Sequence, residues 1–92
     1  MLTKNQRKLI LQLNQKKHRL SNKLFVAEGK KVVSELIDSD WLYHILFSIE
    51  EDFHSDAQLL TLEEMKKISH FKTPSPVLGV FILPDTQKIL GG

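Results

Sequence analysis

Residues 16–31 read KKHRLSNKLFVAEGKK, a short apolar run with cations on both sides. The run LFVA, residues 24–27, has the length and composition of a buried strand. Positive charge held in loops at the two ends of a strand suits a polyanionic partner, whereas the plainer interpretation is a solvated surface. The cations that form the predicted RNA-binding site are Lys16, Lys17, Arg19, Lys23, Lys30 and Lys31.

Charge is divided unevenly along the chain. Residues 1–31 hold nine Lys or Arg and one Glu, a net charge of +8. Residues 32–92 hold four Lys and ten Asp or Glu, a net charge of −6. Such a split favours a cationic surface directed at an anion, and nucleic acid is the commonest such partner. An acidic protein, or the acidic half of this domain, is the alternative partner.

Size and composition place the chain among small globular proteins. Ninety-two residues are enough for one domain with a single core. The chain has no cysteine, which excludes disulfides and thiolate zinc sites. No segment has the roughly 18–20 consecutive apolar residues of a membrane span, and the N-terminus does not resemble a signal peptide. We therefore expect a soluble, cytoplasmic protein without a membrane partner.

Apolar periodicity predicts alternating helices and strands. Helices are expected over residues 4–15, after Gly29, and after Thr61, where capping-box spacing marks the start. Strands are expected at residues 24–27, 42–47, 58–60 and 77–83. This order predicts a small three-layer α/β/α sandwich with a mostly parallel four-stranded sheet. Residues 1–84 would form the domain, and the composition of residues 85–92 is that of a linker.

Residues able to carry out a reaction are scarce. The four histidines lack metal-ligand spacing, and no glycine-rich phosphate loop is present. The sequence thus offers no catalytic, cofactor-binding or metal-binding residues, and this stretch alone is not predicted to be an enzyme. Lys4, Arg7 and Lys8 group on the helix face turned to solvent or a ligand. Phe71 is the aromatic residue best placed to stack on an unpaired base.

Three segments carry a family resemblance: a helix leading into Lys16, Lys17, His18 and Arg19; LFVAEGK at residues 24–30; and Thr73-Pro74 before an apolar strand. Together they resemble the N-terminal substrate-binding domain of the SpoU (TrmH-type) ribose 2′-O-methyltransferases, which modify ribosomal and transfer RNA. Ser75-Pro76 departs from that pattern, which usually has glutamine and glycine there. The departure affects the turn but not the strand that follows.

The resemblance implies a fold like that of ribosomal and kink-turn-binding proteins, and a role in presenting rRNA or tRNA to a separate catalytic domain. That domain, a knotted fold that binds S-adenosylmethionine as a homodimer, would follow residues 85–92, so this chain would be a fragment of an RNA methyltransferase. Arg19, Glu28 and Gly29 match the family positions. Glu28 and Gly29 are expected to be structural residues of the turn, with Glu28 anchoring a cation or backbone donors.

Two other functions remain open on the sequence. The domain could be a protein–protein or interdomain docking module whose basic surface meets acidic protein. It could also be a freestanding binder of kink-turn RNA.

Overall fold

The computed structural model describes residues 1–84, which form four helices and four strands. The predicted linker at residues 85–92 lies outside the described residues. The helices are α1 (Lys4–Gln12), α2 (Lys16–Asn22), α3 (Lys30–Asp38) and α4 (Leu62–Ile68). The strands are β1 (Leu24–Glu28), β2 (Tyr43–Ser48), β3 (Ala57–Leu59) and β4 (Val77–Ile82).

Two of the helices begin at capping boxes, as the sequence predicts. The Thr3 hydroxyl accepts the Gln6 backbone N–H at 3.0 Å, and the Gln6 side chain accepts the Thr3 N–H in return. The Thr61 and Glu64 pair does the same for α4. Each reciprocal pair satisfies donors that the first helical turn leaves without partners, which fixes where the helix starts.

The four strands form one sheet in the order β1-β4-β2-β3. β4 runs antiparallel to both of its neighbours, and only β2 and β3 pair in parallel among the described strands. β2 contains a bulge at His44, since Tyr43 and Ile45 face consecutive residues of β4. The bulge therefore turns Tyr43 and Ile45 to opposite sides of the sheet.

The predicted mostly parallel sheet is wrong, because the sheet is mixed. Alternating strands and helices predict parallel neighbours, since a strand–helix–strand unit usually joins adjacent strands. Here α3 joins β1 to β2, which do run parallel, but β4 lies between them. β1 is consequently a half-buried edge strand and not a fully buried one.

Helices cover both faces of the sheet. On one face, α1 and α4 pack against inward side chains of β2 and β4, with Ile10, Met65 and Phe47 at the centre. On the other face, α3 contributes Val33, which contacts Leu46 and Phe81. Coverage on both sides explains why β4 is apolar at nearly every position although it is antiparallel to its neighbours. The β4 sequence therefore reflects burial and carries no information on strand direction.

The segment predicted as one helix over residues 4–15 and a following basic loop is two helices. α1 ends at Gln12, and α2 begins at Lys16 after a short turn. α2 buries no side chain, so it lacks the apolar stripe by which a helix is recognised in a sequence. The remaining predicted elements are present, with ends that differ by one or two residues.

Candidate nucleic-acid interface

Positive charge is concentrated on the first two helices. Residues 1–27 contain seven Lys or Arg and no Asp or Glu. α1 turns Ile10 into the core, and its cations lie on the exposed side. Within residues 1–84, the side chains of these α1 cations make no ion pair and no hydrogen bond to another side chain. The α1 cations are Lys4, Arg7 and Lys8.

α1 and α2 enclose an open groove of about 480 Å³. One wall is the exposed stripe of α1, whose members recur every three or four residues and so share a helix face. The other side is formed by the start of α2 and the turn before it. The lining residues are Lys4, Arg7, Lys8, Leu11, Gln12, Gln15 and His18. We call this the α1–α2 groove.

Arg19 holds α2 against the end of α1. One guanidinium nitrogen, Nη1, donates to the carbonyl oxygens of Leu13 at 2.9 Å and Asn14 at 3.0 Å. Those carbonyls lie just beyond the end of α1, where backbone acceptors lack helical partners. Because α2 has no buried side chain, this contact positions the helix and with it the far wall of the α1–α2 groove. Part of the Arg19 side chain is thus committed to the fold.

The lysines on and after α2 are free. Lys16, Lys17 and Lys23 are exposed, and none has a carboxylate partner among the described residues. Lys23 ends α2 in the left-handed conformation, with φ 56°. That conformation costs a non-glycine residue about 1–2 kcal/mol. Lys23 therefore terminates α2 in addition to supplying a positive charge.

Lys30 and Lys31 lie at the opposite end of β1, on the first turn of α3. A five-residue strand separates them from Lys23, a span of roughly 16 Å at about 3.3 Å per residue. The Lys30 ammonium is 2.8 Å from the Glu50 carboxylate, and this hydrogen bond raises the pKa of Lys30. Lys31 is exposed. The six predicted cations thus form two groups, one of which is partly neutralised.

Glu28 fastens the loop between α4 and β4. Its carboxylate accepts the His70 backbone N–H at 2.9 Å and the Ser69 hydroxyl, with a longer contact of 3.4 Å to the Ser75 N–H. Glu28 thus accepts from two backbone N–H groups and one hydroxyl of the same loop. The neighbouring Gly29 has φ +123°, which L side chains rarely adopt, at the turn into α3.

The same loop, which borders α2 at His70, presents an exposed aromatic ring. Phe71 is 54% exposed, and its neighbour His70 borders a hollow of about 370 Å³ together with Arg19. The divergent pair Ser75-Pro76 keeps the loop attached, since Ser75 contacts Glu28 and the Pro76 carbonyl accepts the Ile49 N–H at 2.9 Å. Glutamine and glycine are therefore not required for this turn.

Sequence reasoning left the α1 cations and the whole α1–α2 groove outside the predicted site. The spacing of Lys4, Arg7 and Leu11 along one helix face indicates one wall of the groove. The other wall is the start of α2, which has no apolar pattern and is not recognisable as a helix in the sequence.

Among residues 1–84, no group of three or more His, Asp or Glu side chains is arranged to hold a metal ion. In the same part of the chain, no helix is long and apolar enough to cross a bilayer.

Comparison with known families and structures gives a consistent result. A family model described as the MRM3-like substrate binding domain matches residues 4–79. A solved structure named as a TrmH-family RNA methyltransferase from Porphyromonas gingivalis is 32% identical, with a TM-score of 0.75. An rRNA methyltransferase from Sinorhizobium meliloti is 28% identical, with a TM-score of 0.74. Both similarities cover 91% of this chain and 36% of the solved chain.

A third solved structure, an RNA 2′-O ribose methyltransferase, is 18% identical with a TM-score of 0.71, a likeness that concerns the fold alone. It covers 92% of this chain and 37% of the other. A search of curated proteins found no match. The chain thus spans little more than a third of the length of the solved methyltransferases that it matches.

Proposed function

This chain belongs to the family of MRM3-like substrate binding domains, and from that premise we propose that it binds the RNA substrate of a ribose 2′-O-methyltransferase. It is a substrate-binding domain resembling those of TrmH- and SpoU-type RNA methyltransferases. The observation that carries the proposal is the family match over residues 4–79. RNA is the substrate whose charge complements the first two helices.

The distribution of unpaired cations supports RNA as the ligand. Lys16 and Lys17 are exposed on α2, and no carboxylate within residues 1–84 pairs with them. Phe71, on the loop beside α2, supplies an aromatic face of the kind on which unpaired bases stack. Phosphate-binding lysines and an exposed ring are the two components of single-strand recognition.

The catalytic step would take place elsewhere. In the proposal, a separate domain binds S-adenosylmethionine, forms the homodimer and methylates a ribose of rRNA or tRNA, while residues 1–84 hold the RNA. The solved relatives are consistent with further domains, since this chain covers 36% of their length. The domain's own task would be to raise the local concentration of substrate.

The test is a titration of fluorescently labelled rRNA and tRNA fragments with the wild-type chain and with Lys16→Ala/Lys17→Ala. We expect the double variant to bind several-fold more weakly, since it loses two phosphate contacts. Lys66→Ala/Lys67→Ala is the matched control, because it removes an exposed adjacent lysine pair from another helix, α4. Equal losses in both variants would argue against a defined RNA surface, and no binding by the wild type would refute the proposal.

Docking is the second candidate function, and one observation favours it. Leu42, Ile82 and Trp41 are exposed apolar side chains around a hollow of about 270 Å³ where β4 ends. Light scattering on the isolated chain separates the two candidates. A stable dimer without RNA affinity would favour docking, whereas a monomer that binds RNA supports the substrate-binding function. Preferential binding to bent kink-turn duplexes would instead indicate a freestanding kink-turn binder.

A further inference from the structure

We propose that the α1–α2 groove is a binding site for a single unpaired nucleotide, with the phosphate on the α1 cations and the base against Leu11. This inference rests on the proposed RNA-binding function and identifies a subsite separate from Lys16, Lys17 and Phe71. The groove shares no lining residue with the hollow that Arg19 and His70 border.

The positions of the α1 cations are electrostatically unfavourable for the helix in two ways. Lys4 and Lys8 are four residues apart, and like charges at that spacing destabilise a helix. Lys4 is also the first residue of α1, where the helix dipole disfavours positive charge. No acidic residue lies in that first turn to offset it. A phosphate bound among the three side chains would relieve both penalties.

The remaining lining matches a base rather than a bare anion. Leu11 is 43% exposed, an apolar surface on which the face of a base can lie. Gln12 and Gln15 each bring an amide with both donor and acceptor groups, which can pair with base edges. A volume of about 480 Å³ falls within the usual range of small-ligand pockets, roughly 300–1,000 Å³. Cations, an apolar surface and amides thus meet in one groove.

The base must be unpaired to use these groups. In an RNA duplex, the Watson–Crick edges are occupied and the faces are stacked, so neither Leu11 nor the amides could reach them. Loops, bulges and ends expose both the edge and the face of a base. The groove therefore selects single-stranded or flipped-out nucleotides, while phosphate contacts alone would accept a duplex as well.

The decisive experiment separates base contacts from charge. We would measure the affinity of the wild type, Leu11→Ala and Gln12→Ala/Gln15→Ala for a labelled single-stranded RNA oligomer, the duplex of the same length, and inorganic polyphosphate. Leu11→Ala should weaken binding of the single strand about fivefold, because it removes most of the apolar side chain on which the base would lie. Its affinity for polyphosphate should be unchanged, because that probe has no bases. Arg7→Ala/Lys8→Ala should weaken binding of both the single-stranded RNA and polyphosphate.

Leu62→Ala is the matched control, since Leu62 is an exposed leucine on α4. It should leave all three affinities unchanged. The inference is overturned if the wild type binds RNA but Leu11→Ala and the glutamine variant bind the single strand as the wild type does. Equal affinity of the wild type for duplex and single strand overturns it too. In either case the proposed function stands, whereas absence of any RNA binding by the wild type removes both.

Discussion

At the scale of single residues, Glu28 joins an edge strand to the loop that follows α4. Its carboxylate is the shared acceptor for the His70 N–H, the Ser69 hydroxyl and the Ser75 N–H. Hydrogen bonds to a charged group each contribute about 1.5–3 kcal/mol. The half-buried Glu28 therefore acts as a point of attachment, and its position at the end of β1 explains why a lone carboxylate interrupts a basic stretch.

We expect Glu28→Ala to lower the free energy of unfolding by about 2 kcal/mol, because the loop loses its acceptor. Glu28→Gln should have an intermediate effect, since its amide oxygen accepts while its NH₂ group faces the donors. Urea denaturation measures both. Glu35→Ala, at an exposed position of α3, is the control and should stay within about 0.5 kcal/mol of the wild type. A Glu28→Ala variant as stable as the control would show that the loop is held by other contacts.

Gly79 is a second residue on which packing depends. A Cβ built there would lie 2.5 Å from Cε1 of Phe81 and 3.2 Å from Cδ2 of Leu46, both buried side chains. Gly79→Ala should therefore cost about 1–3 kcal/mol, the usual effect of overpacking a core. The measurement is a double-mutant cycle with Phe81→Leu, in which the cost of Gly79→Ala should shrink once the ring is absent. An unchanged cost would mean that the ring of Phe81 is not the obstacle.

At the scale of elements, the cap of α4 also fastens the start of the chain. The Glu64 carboxylate accepts the Thr61 N–H at 2.9 Å and the Leu2 N–H at 2.7 Å. These two backbone hydrogen bonds lower the pKa of Glu64, and the one from Thr61 has the larger effect. Since its folded pKa is below the unfolded value of about 4.3, Glu64 contributes stability that is present above that pH and is lost as the pH falls through the folded pKa.

We expect the urea midpoint of the wild type to fall more between pH 6 and pH 3 than that of Glu64→Gln. The amide cannot be protonated in this range, so its contribution does not change with pH. Glu63→Gln, an exposed neighbour on the same helix turn, should follow the wild type. Parallel behaviour of Glu64→Gln and the wild type would show that other carboxylates govern the acid transition.

The sequence predicts most of the helices and strands, but it does not predict how they are arranged or in which direction neighbouring strands run. Apolar periodicity identifies α3 and α4 because each helix buries one face, and the continuous apolar run of β4 identifies a strand that is buried on both faces. α2 escapes prediction because it is held by the Arg19 contact with two carbonyls, which leaves no periodic trace. Strand direction escapes for a related reason, since burial on both faces produces the same apolar run in either orientation.

The sequence predicts the positive charge of the candidate site, but it does not predict which side chains come together there. An acid-free stretch is visible in residues 1–27, and so are the cations on both sides of the predicted strand, but which of these cations are paired with a carboxylate depends on the tertiary structure. The ion pair of Lys30 with Glu50 joins residues 20 positions apart, beyond the reach of local pattern. The α1–α2 groove likewise requires knowing that α1 ends at Gln12.

At the scale of the whole molecule, RNA affinity should depend strongly on salt. If Lys4, Arg7, Lys8, Lys16 and Lys17 neutralise about five phosphates, log K should fall with log salt at a slope of about −3.5. Lys16→Ala/Lys17→Ala should reduce the slope to about −2.1. Titrations at three or more salt concentrations give the slope directly. The same slope in the double variant and the wild type would exclude these lysines from the phosphate contacts.

The position of β4 has a consequence for the timing of folding. A ribosome releases β1, β2 and β3 first, yet β1 pairs only with β4, and β4 alone joins β1 to the β2–β3 pair; the last residue of β4 is Ile82. The nascent domain therefore cannot close its sheet until nearly all of residues 1–84 has emerged, however early its helices form. A peptide of residues 1–76 should show no cooperative melting by circular dichroism, whereas the full chain should melt in one transition.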